Sequence, residues 1–71
     1  MNAIIDLHGI KHEQVSCIIQ SICSEHAVPF VVITGKSDLM KKIVLEAVKI
    51  FGYSIRETID NPGRVVVYES R

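Results

Sequence analysis

The sequence predicts an α+β two-layer sandwich whose elements follow the order βαβαββ. Three observations support this fold class. Short apolar runs of strand length occur at residues 3–7, 30–33 and 64–69. Two longer segments carry apolar side chains at the spacing of an amphipathic helix. A segment that starts at residue 53 alternates apolar and polar side chains, which is typical of a half-buried strand.

The first three elements follow from apolar spacing and from one proline. Residues 3–7 predict strand 1. Helix 1 is indicated by apolar side chains at positions i, i+3, i+4, i+7 and i+8, which are Val15, Ile18, Ile19, Ile22 and Cys23. Residues 27–29 (Ala-Val-Pro) end this helix. The continuous apolar run of residues 30–33 is typical of a strand that is flanked or covered on both sides.

Helix 2 is predicted from about residue 38 to residue 51. One face of this segment is apolar, and it consists of Leu39, Met40, Ile43, Val44, Ala47, Val48 and Phe51. The polar face carries Lys42, Glu46 and Lys49. Gly52 then provides a stop, because glycine accepts the backbone conformation that commonly ends a helix.

The last two strands differ in how polar they are. Strand 3 begins at Tyr53, and its alternation continues through Ile59. Residues 61–63 (Asn-Pro-Gly) predict a tight turn in which Gly63 takes a positive φ. Residues 64–69 form strand 4 around three valines. The polar strand 3 suits an edge of the sheet, and the apolar strand 4 suits its interior.

Right-handed crossovers between parallel strands place both helices on the same face of the sheet. We therefore expect a four-stranded mixed sheet in the order 1-2-4-3, with strand 4 antiparallel to its neighbours. The other face stays open, and valines on both sides of strand 4 give it an apolar strip. This strip is either a dimer or partner surface or ordinary exposed apolar area.

Length and composition indicate one small packed domain over residues 1–71, since 48% of the side chains are hydrophobic. The formal net charge is +0, so the basic excess of many nucleic-acid-binding proteins is absent. No apolar run approaches the ~20 residues of a membrane span, and no signal peptide is expected. Cys17 and Cys23 would lie about 120° apart on one helix, which excludes a mutual disulfide. We expect a cytoplasmic protein.

Two polar motifs follow strands 1 and 2, and a parallel pair of strands would bring them to one edge of the sheet. In the first, residues 6–9 (Asp-Leu-His-Gly), Asp6 and His8 point to the same side of an extended chain. An aspartate can hold a histidine in one tautomer for acid–base chemistry, and Gly9 permits a turn. The alternative is that Asp6 and His8 only cap the start of helix 1.

The second motif, residues 34–37 (Thr-Gly-Lys-Ser), opens helix 2 with Ser37 as a candidate N-cap. A helix N-terminus and Lys36 favour an anion, whereas Asp38 opposes one. A nucleotide P-loop is excluded because it needs a glycine where Phe30 stands. Further cations that could line this edge are Lys11, Lys41, Lys42 and Arg64.

We expect no cofactor and no metal site. His12 follows His8 by four residues, but the turn between them prevents helical i, i+4 ligand geometry. A site of Asp6, His8 and His12 with a divalent ion is an alternative that ligand spacing does not indicate. His26 ends helix 1, where it would interact with the helix dipole.

Together, the Asp-Leu-His-Gly motif, the Thr-Gly-Lys turn and the βαβαββ order resemble the Smr (small MutS-related) domain. The resemblance spans residues 4–68. It implies the two-layer fold that this family shares with the C-terminal domain of translation initiation factor 3. Family members bind nucleic acid, and many are endonucleases that nick DNA or cleave RNA, including messenger RNA on stalled or collided ribosomes.

The resemblance implies that Asp6 and His8 are catalytic and that residues 34–36 form the glycine-rich turn. The family turn usually reads Thr-Gly-x-Gly, and Ser37 replaces the second glycine here. A polar segment before helix 2 is missing, and the turn at residues 61–63 is shorter than the family's loop. These departures, like the neutral charge, indicate a reduced nucleic-acid surface.

Two functions are therefore predicted. One is an endonuclease that acts on RNA, or nicks DNA, with His8 as acid or base. Asp6 would orient His8 or itself contact the ribose hydroxyl. Its phosphate-binding residues would be Gly9, Lys11, Thr34, Gly35, Lys36, Ser37 and Arg64. The other is a non-catalytic adaptor with the same fold that binds RNA or a protein. The expected partner is nucleic acid, RNA rather than DNA, with the ribosome or another protein as a further partner and no membrane.

Overall fold

The computed structural model describes residues 3–70, and their elements follow the predicted order βαβαββ. The strands are β1 (Ile4–Asp6), β2 (Phe30–Ile33), β3 (Tyr53–Glu57) and β4 (Arg64–Glu69). The helices are α1 (His12–Glu25) and α2 (Asp38–Lys49). Of the predicted domain of residues 1–71, Met1, Asn2 and Arg71 lie outside the described residues.

The four strands form one mixed sheet in the order β1-β2-β4-β3, which confirms the predicted topology. β1 and β2 are parallel, with Asp6 opposite Ile33. β4 is antiparallel to both of its neighbours, with Val65 opposite Val32 and Val67 opposite Ile55. β3 is an edge strand and β4 is an interior strand, as their polarity predicts.

The core lies between one face of the sheet and the two helices, which pack against each other. Alternate side chains of β2 and β4 are fully buried on this face, namely Phe30, Val32, Val65 and Val67. The helices contribute Val15, Ile19, Cys23, Met40, Val44, Ala47 and Val48. Val31 and Val66 point the other way and are only half-buried. The second face of the sheet is therefore open, as expected.

Helix α2 is shorter than predicted, because it ends at Lys49 rather than at residue 51. The backbone N–H groups of Phe51 and Gly52 donate to the carbonyls of Val48 and Lys49, each at 3.0 Å. Gly52 has φ +77°, so its role as the stop is confirmed. The assignment of Leu39 to the apolar face is wrong, since 54% of this residue is exposed.

Strand β3 is also shorter than its alternation predicts, because it ends at Glu57. Ile59 is fully exposed, and its placement on the strand is wrong. The chain leaves the sheet at Thr58, whose hydroxyl donates to the Asn61 carbonyl at 2.6 Å. This local hydrogen bond starts the turn that the alternation does not reveal.

The turn at residues 61–63 is present, but the predicted positive φ of Gly63 is wrong. The backbone N–H of Arg64 donates to the Asn61 carbonyl at 3.2 Å, and the N–H of Gly63 donates to Asn61 Oδ1 at 3.0 Å. The asparagine side chain therefore fixes the turn. Within residues 3–70, neither helix combines the length and apolar character that crossing a membrane requires.

Candidate functional site

The two polar motifs meet at one edge of the sheet because the strands that carry them are parallel neighbours. Asp6 is opposite Ile33, and the backbone N–H of Leu7 donates to the Ile33 carbonyl at 3.1 Å. The loop from β1 to α1 and the loop from β2 to α2 therefore leave the sheet side by side. We call this region the carboxyl edge, defined by residues 6–11, 34–37 and 61–64.

The first loop presents His8 at the exposed tip of a tight turn. The backbone N–H of Ile10 donates to the Leu7 carbonyl at 3.0 Å, and Gly9 takes φ +80° at the third position. A turn of this kind requires a residue that tolerates positive φ at that position. Gly9 is thus needed for backbone conformation, and His8 is placed where a ligand can reach it.

Asp6 contacts the backbone of His8. Its Oδ1 accepts a hydrogen bond from the His8 backbone N–H at 2.8 Å, and both residues are exposed. The imidazole of His8 has no hydrogen-bond partner among residues 3–70. Asp6 therefore fixes the turn that carries His8, while the imidazole remains open to a ligand. The N-cap of α1 is Lys11, whose side chain makes no capping hydrogen bond within residues 3–70.

The second loop is held by hydrogen bonds to the turn at residues 61–63. The backbone N–H groups of Thr34 and Gly35 both donate to the Gly63 carbonyl at 3.0 Å. The Thr34 hydroxyl donates to the Gly35 carbonyl at 2.9 Å, and the residue is buried. Thr34 and the Gly35 amide therefore shape the loop, and these internal hydrogen bonds occupy two groups for which the sequence predicts phosphate binding.

Sequence reasoning missed that Asn61 and Gly63 support this loop. A Cβ added at Gly63 would lie 3.2 Å from Asn61 Oδ1 and 3.6 Å from the Gly35 Cα. The tight contact would be with the Asn61 side chain, since 3.6 Å to Gly35 is an ordinary van der Waals distance. Gly63 therefore leaves room for the asparagine side chain that fixes the turn. An Asn-Pro-Gly turn followed by Arg64 signals a tight turn, but it does not signal which loop the turn contacts.

Ser37 and Lys36 provide the ligand-accessible part of the second loop. The Ser37 hydroxyl accepts a hydrogen bond from the Met40 backbone N–H at 3.1 Å, which confirms the predicted N-cap of α2. The backbone N–H groups of Lys36 and Ser37 donate to no atom of the described residues. Lys36 is exposed and has no ion-pair partner in residues 3–70. The Lys36 and Ser37 amides can therefore donate to a bound anion, whereas the Gly35 amide already donates to the Gly63 carbonyl.

The remaining cations divide into two groups. Arg64 and Asp6 flank Ile33 in one row across the sheet, and both are exposed. Lys11 is exposed at the start of α1, at the same edge. Lys41, in contrast, pairs with Glu57 at 3.0 Å and is not free for a ligand.

Other reactive side chains lie apart from this edge. Cys17 is exposed and Cys23 is buried, and both are free thiols on α1, as expected. Burial raises the pKa of the Cys23 thiol. In residues 3–70, no group of three or more His, Cys, Asp or Glu side chains is arranged to hold a metal ion, and this includes Asp6, His8 and His12.

The arrangement is an exposed edge with one free imidazole, adjacent cations and unpaired backbone donors. Such a surface can bind a phosphate group and can exchange a proton with it. Comparison with protein-family models, with curated proteins and with solved structures finds no match for this chain.

Proposed function

We propose that this protein binds nucleic acid at the carboxyl edge and cleaves RNA there. The observation that carries the proposal is the side-by-side placement of two loops, one with the free His8 imidazole and one with Lys36. Arg64 adds a third exposed group at the same edge. Asp-Leu-His-Gly and Thr-Gly-Lys, which resemble the Smr domain, support the same function.

In this mechanism the ribose 2′-oxygen attacks the adjacent phosphorus, and the bond from phosphorus to the 5′-oxygen breaks. His8 removes the 2′-hydroxyl proton or protonates the leaving 5′-oxygen, and water accepts or donates the other proton. Lys36 and the Ser37 backbone N–H stabilise the charge on the phosphate oxygens. Asp6 acts as a positioning residue, because its carboxylate holds the backbone of His8.

The resemblance also supports a setting for this activity. The two free cysteines fit a reducing, cytoplasmic compartment. The sheet order and the two helices fit the fold of the C-terminal domain of translation initiation factor 3. With a formal net charge of +0, the chain has weak long-range attraction for RNA, so a ribosome or partner protein would help deliver the substrate.

A non-catalytic adaptor that binds RNA or a protein is the second candidate. It is favoured by the hydrogen bonds that occupy the Gly35 amide, the Thr34 hydroxyl and the Asp6 carboxylate. These groups would otherwise help to hold a transition state. An adaptor would bind RNA at the same edge and release it intact.

The test is cleavage of labelled single-stranded RNA by purified wild-type protein and by His8→Ala. We expect the substitution to lower the cleavage rate at least about 100-fold, the usual contribution of a general acid or base. Because His8 is exposed, we expect the midpoint of thermal unfolding to change by less than about 4 °C.

His26→Ala is the matched control, since this exposed histidine lies at the far end of α1. It should retain wild-type cleavage. DNA of the same sequence, which lacks the 2′-hydroxyl, should remain intact. Cleavage that survives in His8→Ala, or cleavage of DNA alone, would contradict the mechanism, and binding without cleavage would favour the adaptor.

A further inference from the structure

The open face of the sheet presents side chains of all four strands. Strand register places them in rows, since residues that are opposite one another point to the same face. One row contains Asp6, Ile33 and Arg64. The next contains Ile4, Val31, Val66 and Arg56. Tyr68 and Ser54 form a third row.

Two cations lie beside the apolar centre of this face. Arg56, on β3, is opposite Val66 on β4, and Arg64 lies two residues before Val66 on the same strand β4. The two arginines are therefore diagonal neighbours, whose Cα atoms typically lie about 7–8 Å apart. Both are exposed, and neither has an ion-pair partner in residues 3–70. Asp6 lies in the first of these rows and accepts a hydrogen bond from backbone, and Asp60 borders a neighbouring cleft together with Arg56 and Val66. The positive charge of this face comes from the two arginines.

An open groove of about 720 Å³ extends from Arg56 along the same face. Its lining includes Val31, Val66, Arg56 and Tyr68. Glu69 also borders the groove, but it is opposite Tyr53, on the side of the sheet that faces the helices. The groove thus combines an aromatic ring, an apolar floor and a guanidinium group.

We propose that this open face, defined by Val31, Arg56, Arg64, Val66 and Tyr68, is a platform for a single-stranded segment of RNA. A base stacks on Tyr68 over Val31 and Val66, and the phosphates follow Arg56 and Arg64 towards the carboxyl edge. Stacking on an aromatic ring beside a line of cations is how single strands are commonly bound. The inference rests on the proposed function, and it adds the path by which RNA reaches His8.

The experiment measures the affinity and its salt dependence by fluorescence anisotropy, with a labelled oligouridine of about eight nucleotides, within the usual site size. Tyr68→Leu removes the ring and keeps an apolar side chain, and we expect it to weaken binding at least about fivefold. Tyr68→Phe keeps the ring and should bind within about twofold of wild type.

The arginines are tested by the slope of affinity against salt. Each phosphate contact contributes about 0.7 to that slope for a single strand. Arg56→Gln and Arg64→Gln should each lower the slope by about this amount. Lys49→Gln removes the same charge from the last turn of α2, outside both proposed surfaces, and it should leave the slope unchanged.

The outcomes separate this inference from the proposed function. Cleavage that depends on His8, together with wild-type affinity in Tyr68→Leu and Arg56→Gln, would overturn the platform and leave the nuclease. Binding that depends on Tyr68, without any cleavage, would support the platform and overturn the nuclease. No binding at low salt would overturn both. A dimer in sedimentation that Tyr68→Leu dissociates would assign the face to a second copy of the chain and overturn the platform.

Discussion

The Asp6 carboxylate accepts a hydrogen bond from the backbone N–H of His8 at 2.8 Å. Spacing alone indicates that the two side chains point the same way, but it does not distinguish a carboxylate that orients an imidazole from one that fixes a turn. The structure assigns Asp6 to the turn. At the residue scale, the candidate site therefore depends on the backbone as much as on side-chain chemistry.

Gly9 is the residue whose conformation the first loop most requires, since its φ is +80°. An added Cβ would meet no atom within 4 Å, so any cost of Gly9→Ala comes from backbone strain alone. We expect this substitution to lower the free energy of unfolding by about 1–2 kcal/mol in urea titrations. Gly9→Asn should cost less, because asparagine tolerates positive φ. Equal stability of Gly9→Ala and wild type would contradict the assigned turn.

The two thiols should differ in reactivity. Cys17 is exposed and Cys23 is buried, so we expect a thiol reagent to modify one site in native protein and Cys17→Ser to abolish that reaction. Burial raises the pKa of Cys23, so the folded state disfavours the thiolate. The stabilisation linked to this thiol is complete below its ordinary pKa and is lost as pH rises through the raised pKa.

The measurement is the free energy of unfolding at neutral and alkaline pH. We expect the alkaline loss of stability to be smaller in Cys23→Ala than in wild type, because the variant lacks the shifted thiol. Equal pH dependence of the two proteins, or rapid modification of Cys23 in native protein, would contradict its burial.

At the element scale, helix α2 is determined by its first turn. Ser37 caps the helix through the Met40 N–H, and Asp38 lies in the first turn, where a negative charge is favourable. Ser37→Ala should lower the free energy of unfolding by about 1 kcal/mol in urea titrations. Ser37→Asp supplies another capping side chain and should lose less.

The control for the Ser37 substitutions is Ser21→Ala, at an exposed position inside α1. Alanine favours helices more than serine does, so this change should be neutral or slightly stabilising. If Ser37→Ala and Ser21→Ala change the free energy of unfolding equally, the Ser37 cap does not stabilise α2.

Element boundaries show what the sequence could and could not predict. The spacing of apolar side chains predicts both helices, because burial of one helix face imposes a regular pattern. The continuous apolar run of residues 30–33 predicts strand β2. The end of β3 was missed, since Ile59 continues the alternation although it is fully exposed. The strand ends where the Thr58 hydroxyl donates to the Asn61 carbonyl. The alternation of apolar and polar side chains does not reveal such a local hydrogen bond.

The sequence likewise predicts one part of the candidate site and not another. Parallel pairing of β1 and β2 brings the two motifs together, as expected from the position of each motif after its strand. The contact of Gly63 with Thr34 and Gly35 was not predictable, because it joins segments that are far apart in sequence. That contact occupies the Gly35 amide, for which the sequence predicts phosphate binding.

At the scale of the whole molecule, the sheet order follows from polarity. A polar β3 at the edge and a valine-rich β4 in the interior leave one arrangement in which both helices cover the same face. The core lies between the sheet and the helices, whereas the side chains proposed to bind RNA lie in loops and on the open face. The carboxyl edge and that face are the surfaces on which function is proposed.

We propose that the two loops of the carboxyl edge form one ligand site. The most direct measurement is a ¹H–¹⁵N NMR titration of the protein with short single-stranded RNA at low salt. We predict saturable shifts of the backbone amides of His8, Gly9, Lys36 and Ser37, with smaller shifts in the far half of α1. Unchanged amides in both loops at saturating RNA, or shifts confined to one loop, would contradict the claim.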